Sequence, residues 1–154
     1  MSVPQDPPPI TIPPPPAVRW AGYGVLAQAI GVVALSVVTL ISGLSAGPQG
    51  GSPVVRTLAQ TGYYLVIALL MAAAASGILR GRRWGRTPCL VLEVVLIFIG
   101  VWLIAPSGQY LWGPVLVLSG LVIGGLLLSP PANAWVSRFP LPFGSTPPPA
   151  GPTR

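Results

Sequence analysis

One carboxyl group and one cluster of guanidinium groups carry nearly all the reactive chemistry of this chain. The carboxyl is Glu93, in the run Leu90-Val91-Leu92-Glu93-Val94-Val95, and it is the only acidic residue inside an apolar stretch. A carboxylate among apolar side chains is costly unless it is neutral, paired or facing water. Glu93 therefore has two readings. One is a proton or cation site. The plainer one is a polar residue near the membrane boundary, solvated from the adjoining loop or hydrogen-bonded within a helix bundle. Gln28 is the natural partner. Counted from Thr87, Glu93 lies ~9 Å along its helix, and counted from Trp20, Gln28 lies ~12 Å along its own. Gly24, Gln28 and Gly31 share one helix face. Glu93 and Gly100 share another at a spacing of i,i+7. Small residues let helices approach closely. Both polar groups are thus expected to point into the bundle and to lie near each other.

The guanidinium cluster is Arg80-Gly81-Arg82-Arg83-Trp84-Gly85-Arg86, which holds four of the eight basic residues. A membrane-tethered segment of this kind holds its loop on one side of a bilayer and attracts anionic lipid headgroups, at ~1 kcal/mol per Arg near the surface. Arg80, Arg82, Arg83 and Arg86, with Trp84 at the interface, are the residues assigned that role. A nucleic-acid or free-phosphate site is disfavoured, because the segment is short and has no glycine-rich cradle. Metalloprotease and phosphate-cradle patterns are missing too: the sequence contains no HExxH, P-loop or paired carboxylates. Cys89 is the single cysteine and there is no histidine, so neither an internal disulfide nor a metal cluster can be assembled. Cys89 reads as a packed small residue. The expectation is a non-enzymatic protein without a cofactor, a metal or a nucleic-acid partner.

The elements that must position these residues follow from composition. The chain has 154 residues, 52% hydrophobic and 6% charged. A soluble domain has about a quarter charged residues, so the expected solvent is a bilayer. Lys and His are absent while Ala, Gly, Pro, Val and Arg abound, the codon bias of a high-GC bacterial genome. Four apolar segments, about 20–44, 58–79, 88–105 and 111–128, are each long enough to span as helices, because even 18 residues reach ~27 Å. Residues 1–18 form a proline-rich tail that is extended or disordered, and 130–154 a second. The spanning domain is 19–129. Gly47 to Pro53 and Ala105 to Gln109 read as loops. Thr87-Pro88 reads as an N-cap followed by a first-turn proline. Ser129-Pro130-Pro131 stops the fourth helix. Ala132 to Phe139 reads as a short interfacial helix, with Trp135, Val136 and Phe139 in the headgroup boundary. The first segment is too long for a cleaved signal peptide.

Arginine counts set the orientation. With alternating helices, seven arginines fall on one side and Arg56 alone on the other. Both termini and the arginine loop are therefore expected in the cytoplasm of a bacterium, with the chain in its plasma membrane. Trp20, Tyr23, Trp84 and Trp135 would form the inner aromatic belt, and Tyr63, Tyr64, Tyr110 and Trp112 the outer one. The fourth segment contains Gly120 and Gly124 at GxxxG spacing, which serves either helix packing within the chain or self-association. Internal packing is the simpler reading in a four-span chain. The proline tails contain PxxP spacings, which can engage a protein partner.

The stretch Leu79-Arg80-Gly81-Arg82-Arg83-Trp84-Gly85-Arg86-Thr87-Pro88, continuing through Leu90-Val91-Leu92-Glu93, resembles a family of uncharacterised four-span integral membrane proteins of actinobacteria. So does Gly113-Pro114 through Leu126-Leu127-Leu128-Ser129-Pro130. The resemblance covers the membrane domain and implies its architecture, but no activity. Members often carry Gln at the position of Glu93, and Gln does not titrate. The expectation is an all-α membrane protein: a four-helix antiparallel transmembrane bundle, N-in and C-in, with proline-rich tails. Its expected role is that of an accessory or scaffold protein contacting anionic lipid, with a small proton-coupled transporter using Glu93 as the alternative.

Overall fold

The computed structural model describes residues 12–45, 54–105 and 110–139, and these are helical with no strand among them. Five helices follow one another: α1 (Pro16–Ser45), α2 (Val54–Leu79), α3 (Arg86–Ile104), α4 (Trp112–Leu128) and α5 (Pro130–Val136). Three stretches are long and apolar enough to cross a membrane: α1, α2, and α3 with the turn before it. The pair α4 and α5, bent by 51°, makes a fourth if it is counted as one span. In an apolar solvent a backbone satisfies its N–H and C=O groups only internally, which explains why such sequences become uninterrupted helices.

The helix ends follow local chemistry. α1 begins at Pro16, the last residue of the proline run, since proline is tolerated at the first helical position and not in the interior. Four residues assigned above to the tail or its edge, Pro16 to Arg19, are therefore helical. Residues 12–15, also assigned to the tail, are extended. Ile12 is held in place: its N–H donates to the Gly81 carbonyl at 3.3 Å, and its own carbonyl accepts from Trp135 Nε1 at 3.0 Å. α2 ends in a paired closing motif in which the Gly81 N–H bonds the Ile78 carbonyl and the Arg82 N–H bonds the Gly77 carbonyl, each at 2.9 Å. Gly81 makes this possible with φ of 74°, a left-handed conformation that L side chains disfavour.

A short 3-10 turn (Arg83–Gly85) then leads into α3, which starts at Arg86 with Gly85 as its cap residue. Thr87 is therefore inside the helix and is not its N-cap, because the tight turn after Gly81 launches the helix earlier than the Thr-Pro pair implied. Pro88 is tolerated there, since first-turn N–H groups lack intrahelical partners in any case. The other end of the bundle is simpler. α4 stops at Leu128, Ser129 turns to ψ of 152°, and Pro130 and Pro131 open α5. Residues 46–53 and 106–109, which include most of the two stretches read as loops, lie outside the described residues, as do 1–11 and 140–154.

The helices pair as α1 with α2 and α3 with α4, and in both pairs the contacts run in opposite senses. The start of α1 meets the end of α2, where a Cβ on Gly22 would stand 2.9 Å from the Leu79 side chain, and Ser36 donates to the Thr61 carbonyl farther along. Likewise Gly100 of α3 packs on Gly113 and Val117 of α4, and Gly120 packs on Ile97 and the Glu93 carbonyl. Gly24 of α1 packs on Ile123 of α4, joining the pairs. The core gathers toward the arginine-bearing end: Val18, Ala21, Val25, Met71, Ala75, Ile78, Cys89, Leu127, Ala132 and Trp135.

Two expectations about side chains are corrected here. Trp135 is 2% exposed and stacks edge-on against buried Phe139, with ring centroids 5.3 Å apart, so both rings are covered by the chain itself and are not free to anchor in headgroups. The indole turns inward to donate to the Ile12 carbonyl, a partly buried acceptor. Gly31 packs on nothing: a Cβ built there meets no atom within 4 Å.

Candidate functional site

Glu93 sits in the middle of α3 and is 1% exposed, the best-hidden charged side chain among the described residues. It is positioned by glycines on α4. Gly120 brings that helix to within contact of the Glu93 carbonyl, and a Cβ on Gly124 would stand 4.0 Å from Glu93 Cβ. Gln28 reaches the carboxyl from α1, where Gly24 allows the approach to Ile123. Gln28 Nε2 donates to Glu93 Oε2 at 3.1 Å and to Ser119 Oγ at 3.3 Å. Ser119 in turn donates to the Leu116 carbonyl, its own helix neighbour, at 3.0 Å. One amide thus ties three helices together. The inventory is incomplete, however: Gln28 Oε1 and Glu93 Oε1 are both buried and have no hydrogen-bond partner among the described residues.

The juxtaposition of Gln28 and Glu93 matches the expectation drawn from their helix positions. Ser119 was missed. Its signal was present, a lone hydroxyl beside Gly120 in an otherwise apolar helix, but nothing in the sequence shows which neighbour it meets. Gly24, Gly100 and Gly120 lie at helix contacts, Gly124 is looser, and Gly31 faces open space. The Gly120 face of α4 is occupied by α3 within the same chain.

Beside this cluster runs a groove between α1 and α4, of about 680 Å³, walled by Ala27, Leu35, Trp112, Val115, Val122 and their neighbours. Gln28 and Ser119 are the polar side chains on its wall, and Glu93 lies behind them. The groove continues past Gly31 toward Val38 and Leu103. It exists because Gly24 and Ile123 hold the two helix pairs together at one end, while Gly31 leaves space farther along.

The second cluster is the arginine end. Arg19, Arg80, Arg82, Arg83, Arg86 and Arg138 all lie where α1 begins, α2 and α4 end, and α5 folds back. Arg56 lies at the far end of α2. Their roles differ. Arg86 donates from Nε and from a terminal nitrogen to the Leu127 carbonyl at 3.1 and 2.8 Å, and to Asn133 Oδ1 as well. It thereby caps the exposed carbonyl end of α4, which favours a cation. Asn133 completes the joint by donating to the Leu128 carbonyl at 3.1 Å. Arg83 and Trp84 are exposed, and with Arg86, Thr87 and Val136 they line a hollow of about 480 Å³. Trp84 also closes over Gly77 of α2. Cys89 is a free, buried thiol, and no group of three or more His, Cys, Asp or Glu that could hold a metal gathers among the described residues.

No family model matches the chain, and no curated protein or solved structure matches it either.

The hydrogen bonds of Arg86 make it a joint between α3, α4 and α5. Arg86→Ala should lower stability by about 1.5–3 kcal/mol, the range for hydrogen bonds to a charged group. Arg86→Lys, which keeps the charge but loses the planar fork, should fall between. Thermal unfolding in detergent checks this. Arg83→Ala is the comparison, and a loss at position 86 no larger than at 83 would contradict the assignment.

Proposed function

We propose that the chain is a non-enzymatic, four-span integral membrane protein of the bacterial plasma membrane, threaded as an antiparallel bundle with both termini in the cytoplasm. Its role in this reading is that of an accessory or scaffold protein seated on anionic lipid by its arginine end. One observation carries the reading: six of the seven arginines among the described residues lie at one end of a helical body whose other ionisable Arg or Glu side chains, among those residues, are Arg56 and Glu93. Positive charge accumulates on the cytoplasmic side of such proteins, and anionic headgroups attract it. Arg86 is occupied by Leu127 and Asn133, so of the four loop arginines Arg80, Arg82 and Arg83 are the ones this reading gives to headgroups. Exposed Trp84, Trp20 and Tyr23 sit beside them at interface level. The proline-rich tails, largely outside the described residues, leave from this same side and are the segments a protein partner would engage.

A second reading, a small proton-coupled transporter using Glu93, is favoured by the burial of that carboxyl in a three-helix contact beside an open groove.

Two measurements address these readings. In the first, the full chain is purified from membranes containing phosphatidylglycerol and phosphatidylethanolamine, and the retained lipids are quantified. The triple variant Arg80→Gln, Arg82→Gln, Arg83→Gln should lose most of the retained phosphatidylglycerol, since three Arg at ~1 kcal/mol each amount to about a hundredfold in affinity; unchanged retention would count against the lipid-seating role. In the second, Glu93→Gln is compared with wild type for pH-dependent transport or drug tolerance in cells. A loss would favour the transporter, and no change leaves the accessory role.

A further inference from the structure

We infer that the groove between α1 and α4 is a binding site for a lipophilic amine, whose apolar body lies along the groove and whose ammonium group is received by Glu93, Gln28 and Ser119. The site extends beyond the lipid-seating role and holds whether or not the ligand crosses the bilayer.

Three observations converge on it. The first is shape and lining. About 680 Å³ is the volume of a small-ligand site, and its walls are apolar apart from Gln28 and Ser119. The second is the missing donors. Gln28 Oε1 and Glu93 Oε1 are buried acceptors with no partner among the described residues. Each such atom carries a desolvation cost that a hydrogen bond would remove. The Gln28 vacancy is for a donor, and so is that of Glu93 when it is ionised, so the complementary head is a cation with several N–H groups. The third is charge. Glu93 is the only acidic residue in the described part of the chain, and it stands directly behind the polar wall of the groove. A carboxylate there attracts a cation, and a hydroxyl or carbonyl head lacks that attraction.

The geometry also assigns a gate. Gln28 lines the groove while Glu93 does not, and the Gln28 amide bonds Glu93. An ammonium arriving along the groove meets the Gln28 side chain and Ser119 first, with Gln28 Oε1 and Glu93 buried behind that wall. As the Gln28 side chain turns aside, the ammonium N–H groups replace its amide as donors to Glu93. Gly31 keeps the path clear, since a Cβ there meets nothing within 4 Å.

The test uses the full chain in lipid nanodiscs and radiolabelled dodecylamine, with binding to empty nanodiscs subtracted. A saturable component is expected in the wild type. Glu93→Gln, which still offers Gln28 an acceptor, should weaken it at least tenfold. Gly31→Leu should do the same by filling the groove, and because it leaves the Glu93 carboxyl in place and a Cβ at 31 meets no atom within 4 Å, it keeps the test decisive if Glu93→Gln fails to fold. Dodecyltrimethylammonium, a cation without N–H groups, should compete several-fold less well than dodecylamine, and dodecanol should not compete. No saturable component in the wild type, unchanged binding in a folded Glu93→Gln, unchanged binding in Gly31→Leu, or dodecanol competing as well as the amine would each overturn the site.

Discussion

A carboxyl group enclosed by apolar side chains needs a donor from within the chain, and Glu93 obtains its donor from another helix. Gln28 of α1 supplies it at 3.1 Å and shares the same amide with Ser119 of α4. Only close helix contacts permit this. Gly24 lets α1 reach Ile123, and Gly120 lets α4 lie against the Glu93 carbonyl. Replacing these glycines with larger residues would separate the polar groups before it disturbed any one helix. The small residues and the polar cluster therefore depend on each other: the first set the distance at which the second can bond.

From this contact the rest of the body divides into a closed end and an open one. Toward the arginines, the chain is clasped several times over. Ile12 bridges Gly81 and Trp135, Arg86 and Asn133 tie α4 and α5 together, and the core side chains gather there. Away from them, α1 and α4 part around Gly31 and the groove opens. The polar cluster lies at the boundary between the two regions. A ligand or a substitution at Gln28 therefore acts where the two helix pairs are joined by few contacts, which is where a small change in side-chain packing can alter their separation.

Much of the helical body was legible in the sequence, because long apolar runs in an apolar solvent have one backbone solution. The meeting of Gln28 with Glu93 was legible as well, from similar distances to the same end and from glycines on the same faces. Most of what escaped depends on backbone groups or on helix neighbours that no side-chain pattern encodes. Trp135 turns inward to the Ile12 carbonyl, although tryptophan beside a membrane segment reads as a surface anchor. Arg86 serves the Leu127 carbonyl, although it stands in a run of apparently equivalent arginines. The early start of α3 follows from the left-handed Gly81 and the tight turn behind it, which override the Thr87-Pro88 signal. Gly31 looks identical to the packing glycines in sequence, yet it borders the groove.

The dependence of the body on the Gln28–Glu93 contact is tested most directly by a double-mutant cycle. Gln28→Ala, Glu93→Ala and the double variant would be unfolded reversibly in mixed micelles beside the wild type. An interhelical hydrogen bond in such surroundings is worth about 0.6 kcal/mol on average and up to about 1.7 kcal/mol. A favourable coupling energy within that range is expected, with the double variant less destabilised than the sum of the two single ones. Strictly additive losses would show that the two side chains are neighbours without being partners, and would contradict the account.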